Sequence, residues 1–222
     1  MQVKAQRMSV ADYLDLEERS EVRHEYVDGE VYAMSGASRR HQLLVGTLYR
    51  HAFQKAAGRC EIFLSGMQAR IEARNCFYYP DVFGTCDPED GHDSYIASPC
   101  FNIEVLSPST ASTDRREKRS AYMSLKSVDE YIIVSQSRMR IDVYRRDDSP
   151  WASQVLQFPG DELEISCIGL RVSLLDIYHG VRLPPPEVRD SAFEDMDPGP
   201  DYVPTEWVRT ALPAGGPQSP GG

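Results

Sequence analysis

Phe101-Asn102-Ile103-Glu104-Val105-Leu106-Ser107-Pro108-Ser109-Thr110 is the stretch that decides the fold class. Its first six residues form a short, almost continuous apolar run, as expected of a central strand covered on both faces. Ser107-Pro108-Ser109-Thr110 reads as a turn. A helix follows over about 113–125, with Tyr122 and Leu125 among its inward residues. Next comes Glu130-Tyr131-Ile132-Ile133-Val134-Ser135-Gln136, a second run of the central-strand kind, and 140–146 reads as its partner around a turn near 135–139. Strand, helix and further strands in this order predict an α/β fold with a central mixed β-sheet flanked by helices.

Glu104 is the anomaly in its own strand. A carboxylate within an apolar run is costly to bury unless it is paired, protonated or bound to a metal. Strand alternation offers the plain alternative: Ile103 and Val105 share one face, and Glu104 points to the other, wet one. The following helix weighs against that reading. Asp114, Lys118 and Tyr122 recur every four residues and share one helix face. In isolation Asp114 and Lys118 would be a surface ion pair worth roughly 0.2–0.5 kcal/mol. Upstream, Asp81 follows Tyr78-Tyr79-Pro80 and precedes Val82-Phe83, where an extended segment enters or leaves the core.

Further outward the pattern stays that of one domain. Ser9 is placed to cap a short N-terminal helix, and Asp28-Gly29 within His24–Met34 marks a hairpin. A helix over 38–57 carries Leu44, Val45, Leu48, Ala52, Phe53 and Ala56 on one side, with Gly58 placed to stop it. Strand-like runs occupy 60–64, 68–73 and Val82–Thr85, then 151–158 and 163–168, with a last helical turn at 174–178. No Gly-rich strand-to-helix loop is present, which excludes a P-loop or dinucleotide-binding reading. The domain therefore spans 1–183. The remainder, 184–222, opens on three prolines and ends in a Pro/Gly/Ser-rich stretch, the composition of a mostly disordered tail.

Charge is informative through its distribution. The net charge is −10, and the tail, with seven acids against two arginines, carries half of it. The folded part is thus only mildly acidic, and charge neither demands nor excludes a nucleic-acid partner. No apolar run approaches the ~18 residues of a membrane span, and the N-terminus lacks a secretory apolar region. The five cysteines (Cys60, Cys76, Cys86, Cys100 and Cys167) are an odd set, widely spaced and without a C-x-x-C pair. They read as reduced thiols of a cytoplasmic protein, not as a disulfide frame or a zinc site.

Tyr79-Pro80-Asp81-Val82, Ile103 to Thr110, the Asp114/Lys118/Tyr122 set and Glu130 to Val134 together resemble the Uma-two family, which is grouped with restriction endonucleases in the PD-(D/E)XK nuclease superfamily. His24 to Glu30, Met34-Ser35-Gly36 and His41 fit the same pattern, so the resemblance covers about residues 8–182. It implies a restriction-endonuclease-like fold with Mg²⁺ at the site and Mn²⁺ as a possible substitute. By carry-over, Asp81 and Glu104 are the two metal-binding acids. The superfamily's lysine normally stands two residues after the second acid, where this chain has Leu106. In the Uma-two pattern it has moved to the next helix, which points to Lys118; Arg116 and Arg119 lie off the Asp114–Tyr122 face. Glu25 and His41 are auxiliary candidates, with Asp114 and Tyr122 beside them.

The chemistry suits these residue types. Hard Mg²⁺ takes oxygen ligands, polarises a phosphate and makes hydroxide available, while a lysine offsets charge developing in the transition state. The expected function is a Mg²⁺-dependent endonuclease that hydrolyses phosphodiester bonds, with DNA as partner and no membrane. Two alternatives remain. One is a catalytically weak module of the same fold that binds nucleic acid or protein. The other is a homodimer that acts through protein contacts of the 131–146 strand pair or of the tail. Dimerisation is also expected by analogy with enzymes that cut both strands.

Overall fold

The computed structural model describes residues 7–34, 36–90, 92–107, 114–146 and 151–185, with the side chains of Asp114 and Arg115 outside the description. Ser9 caps α1 (Val10–Arg19) by accepting the Asp12 backbone N–H. The hairpin of β1 (His24–Val27) and β2 (Glu30–Ala33) turns through Asp28 and Gly29, both at positive φ, the geometry of a two-residue primed turn. Ser38 caps α2 (Arg39–Ala56), which ends when Ala57 turns left-handed one residue ahead of Gly58.

Six strands follow: β3 (Glu61–Leu64), β4 (Gln68–Ile71), β5 (Cys76–Tyr78), β6 (Val82–Thr85), β7 (Tyr95–Ile96) and β8 (Phe101–Leu106). A π-turn over Asp114–Lys118 leads into α3 (Arg119–Met123). The chain closes with β9 (Glu130–Ser135), β10 (Ile141–Arg145), β11 (Ala152–Leu156), β12 (Glu162–Ile165), β13 (Leu170–Ser173) and α4 (Leu174–Ile177).

The expected central sheet is present as β11-β10-β9-β8-β6-β3, and it is mixed: β8 and β9 run parallel while its other pairs are antiparallel. A second sheet, β2-β1-β5-β4-β7, takes strands that a single-sheet reading does not separate. The two are joined at Tyr79-Pro80-Asp81. β5 ends in the second sheet, Pro80 has no N–H to extend that ladder, and the chain passes into the first sheet as β6.

β8 and β9 are buried at every position. Phe101, Ile103 and Val105 pack with Leu44, Val45, Leu48 and Ala52 of α2. Leu106 packs on the other side with Phe83, Ala121, Tyr122, Tyr131 and Ile133. Both faces are therefore covered, and Glu104 has no wet side to point to; it is 3% exposed.

Two sequence expectations change. The helix over 113–125 is a π-turn followed by a short α-helix ending at Met123. The cysteines are not all thiols: Cys60 and Cys86 form a disulfide. The Glu61↔Thr85 pairing of β3 and β6 sets the flanking residues 60 and 86 opposite each other, a juxtaposition that spacing along the chain does not reveal. Cys76, Cys100 and Cys167 are free. The disordered-tail expectation falls, beyond Pro185, outside the described residues; Val181 and Leu183 pack against the main core. No described helix is long and apolar enough to cross a membrane.

Candidate active site

Antiparallel pairing of β6 with β8 aligns Val82 with Ile103, and Asp81 and Glu104 are the residues next to that pair on either strand. The ladder is completed by a side chain at this point. Asp81 Oδ2 accepts the Val105 backbone N–H at 2.7 Å, which fixes the carboxylate over the edge of β8. Asp81 is thereby held against the strand that carries Glu104.

His41, in the first turn of α2, holds Asp81 from the other side, with Nε2 at 3.1 Å from Asp81 Oδ2. The acceptor is a carboxylate, so the proton of that bond is on Nε2. His41 Nδ1 is buried and has no hydrogen-bond partner among the described residues. Ser38 sets the helix start: it accepts the His41 backbone N–H and donates to Gln136 Oε1. Gln136 in turn donates to the Leu106 carbonyl at the end of β8. The N-terminus of α2 is thereby tied to the strand that bears Glu104.

Lys118 ends the π-turn and is 4% exposed. Its Nζ lies 2.7 Å from Glu25 Oε1 and 3.5 Å from Glu104 Oε1, and 5.5 Å from the centre of the Tyr78 ring. The Tyr122 hydroxyl stands 3.5 Å from the same Glu104 oxygen. The side chains of Lys118 and Tyr122 thus converge on one carboxylate, although the segment between them is only partly α-helical. Arg119 stacks instead over Tyr144 and bonds its hydroxyl, and Arg116 is exposed. Asp114 belongs to the π-turn by its backbone, while its side chain is outside the description.

Glu25 comes from β1 of the second sheet and accepts the Tyr79 backbone N–H. Behind it lies a buried polar network absent from the sequence reading. Tyr79 donates to Glu17, Gln68 donates to the hydroxyls of Tyr13 and Tyr79, and Tyr13 donates to the His24 carbonyl. Burial pushes the Tyr79 phenol up, and the hydrogen bond and negative charge of Glu17 add to it. Burial likewise raises Tyr78. Both remain hydroxyls at neutral pH. Tyr79, Ser38 and Gln136 escaped sequence reasoning; Tyr79's position directly before Pro80-Asp81 was the available signal.

Lys118 therefore joins Glu25 to Glu104, while His41 and the Val105 N–H hold Asp81 against the strand that carries Glu104, all of them buried or nearly so. Carboxylate oxygens are hard donors that fit a divalent cation of the Mg²⁺ type, and Asp81 and Glu104 are the acids that could hold it.

An α/β protein with this mixed sheet has a restriction-endonuclease-like fold, and the comparisons agree. The fold matches the crystal structure of a "putative nuclease belonging to DUF820" from Anabaena variabilis, with a TM-score of 0.63 at 15% identity, covering 78% of this chain and 98% of that one. The profile of the Uma2 family, described as "Putative restriction endonuclease", matches residues 10–175, and the chain belongs to that family. Two relatives come from Synechocystis sp. The uncharacterized protein slr1290 is 36% identical over 79% of this chain and 93% of its own length. The uncharacterized protein sll1609 is 29% identical over 72% of this chain and 93% of its own.

Proposed function

We propose that the chain is a Mg²⁺-dependent endonuclease that hydrolyses phosphodiester bonds in DNA, with Mn²⁺ as a working substitute. The observation that carries the reading is the buried Lys118 ammonium beside Glu104, on the strand whose Val105 N–H holds the Asp81 carboxylate. Asp81 and Glu104 would hold the ion, with Glu25 within reach of the same cluster. Bound there, a divalent cation supplies Lewis-acid polarisation of the phosphate and a more acidic water.

The chain's own residues do the rest. His41 and the Val105 N–H orient Asp81. Tyr122 and Lys118 orient Glu104. Lys118, beside Glu104, would hold the attacking water or offset charge on the phosphoryl oxygens. A homodimer would present a second such site to the opposite strand. The DNA substrate places the protein in the cytoplasm in this reading.

A non-catalytic binding module is favoured by one feature: the 2.7 Å ion pair of Lys118 with Glu25 compensates part of the cluster internally. One experiment separates the two. Purified protein is incubated with plasmid and single-stranded DNA in Mg²⁺ or Mn²⁺, beside Asp81→Ala and Glu104→Ala. Cleavage by the wild type that both variants lose supports the nuclease. Equal cleavage by all three marks a contaminant and overturns the proposal. Binding without cleavage selects the module. Sizing of the purified protein with and without DNA tests the dimer.

A further inference from the structure

Four of the five cysteines meet at the end of the central sheet away from Asp81. Cys60 precedes β3, Cys86 follows β6 and Cys100 precedes β8, three strands that lie side by side. Cys167, in the turn between β12 and β13, is brought onto the same point. The Sγ atoms of Cys86, Cys100 and Cys167 all lie within 4.8 Å of one another, with Cys86 to Cys100 at 3.5 Å, and Cys60 is bonded to Cys86. Arg59, next to Cys60, donates to the Ile168 carbonyl next to Cys167, so the backbone is tied together around the cluster. Asp81 sits at the opposite end of β6, about 16 Å away at ~3.3 Å per residue.

We propose that Cys60, Cys86, Cys100 and Cys167 form a tetrathiolate zinc site in the reduced protein. Zn–S bonds of about 2.3 Å in a tetrahedron set sulfur atoms about 3.8 Å apart. The observed 3.5 Å between the Cys86 and Cys100 sulfurs is close to that separation. Thiolates select a soft or borderline ion, whereas the carboxylate cluster suits a hard one, so the two sites take different metals. Four protein ligands leave no open position, which makes the site structural. It fastens the β12–β13 hairpin to the ends of three strands of the central sheet.

The Cys60–Cys86 disulfide is the metal-free oxidised form of the same cluster. A dithiol reductant supplies two electrons and two protons, cleaves that bond to two thiols and itself becomes a cyclic disulfide. The four thiols then give up four protons to solvent as four S–Zn bonds form. Sequence spacing concealed the site because its ligands come from four separate segments and contain no C-x-x-C pair.

The test uses the full chain, reduced with a dithiol under anaerobic conditions, exposed to Zn²⁺ and then freed of unbound metal. One zinc per chain is expected. Co²⁺ in its place should give the near-ultraviolet thiolate-to-metal band and the intense visible bands of a tetrahedral sulfur site. Cys100→Ser and Cys167→Ser should each lose the zinc, while Cys76→Ser and Asp81→Ala keep it. No retained zinc and no cobalt–thiolate band in the reduced wild-type chain would overturn the proposal. So would zinc that persists in Cys100→Ser/Cys167→Ser but disappears in Asp81→Ala, which places the ion at the carboxylates. The cobalt spectrum of the wild type decides the matter even where a serine variant fails to fold.

Discussion

Lys118 Nζ lies 2.7 Å from Glu25 Oε1, an ion pair between a π-turn and the hairpin of the second sheet. Both side chains are mostly shielded from water, and the same ammonium reaches Glu104 on the central sheet. One cation thus connects three elements that share no backbone ladder. An alkyl replacement leaves two carboxylates near each other with their counter-charge gone.

Lys118→Met is expected to destabilise the fold by about 3–5 kcal/mol, as when one partner of a buried pair is removed. Cleavage should fall about 10²- to 10³-fold, in line with loss of a donor aimed at developing charge. Urea unfolding measures the first and plasmid nicking in Mg²⁺ the second. A variant as stable as wild type would show that the pair is solvent-screened, contrary to its burial.

His41→Ala removes the imidazole that orients Asp81 while leaving both acids in place. Loss of an outer partner of a metal ligand typically costs about 10–100-fold. The expected result is a raised Mg²⁺ requirement, with most of the lost rate recovered at high Mg²⁺. A drop in rate that no Mg²⁺ concentration relieves would assign His41 a direct part in the chemistry instead.

Much of this was legible beforehand where local pattern and tertiary role coincide. The runs at Phe101–Leu106 and Glu130–Ser135 announced central strands, and both are buried throughout. Ser9 and Asp28-Gly29 announced a cap and a turn by their own chemistry. β5 and β7 escaped because strands of three and two residues offer no periodicity to read. Glu25 with Lys118, and Cys60 with Cys86, are pairings between distant segments, set by sheet register and by nothing in the flanking residues. The π-turn escaped because its sequence is compatible with an ordinary helix. Asp81 and Glu104 were legible as parts of a motif; the Asp81 bond to the Val105 N–H, which links it to the strand of Glu104, was not.

Gly84 gives a test of the fold away from the site. A Cβ there would stand 2.8 Å from Ile62 Cδ1, 2.8 Å from Phe101 Cε1 and 2.9 Å from the Glu61 carbonyl oxygen. The two side chains can rotate, but the carbonyl belongs to the neighbouring strand and moves only with it. Gly84→Ala is expected to cost about 1–3 kcal/mol by overpacking. A thermal melt reads the effect, and an unchanged Tm would mean that β3 and β6 separate more easily than their pairing suggests.

The cation itself offers the last prediction, independent of any DNA. A ligand that binds only the folded state stabilises it by about 2.7 kcal/mol at ~100 times Kd. Mg²⁺ should therefore raise the Tm of the wild type along a saturating curve. Asp81→Asn and Glu104→Gln preserve side-chain size but remove the charge that holds the ion, so each should flatten that curve. The starting Tm of Glu104→Gln tells a second thing, because Lys118 keeps its 2.7 Å partner Glu25 when Glu104 becomes neutral. That variant should fold and melt cooperatively while losing the Mg²⁺ response. A full Mg²⁺ response in both variants would place the ion elsewhere on the protein and remove the premise of the proposed hydrolysis.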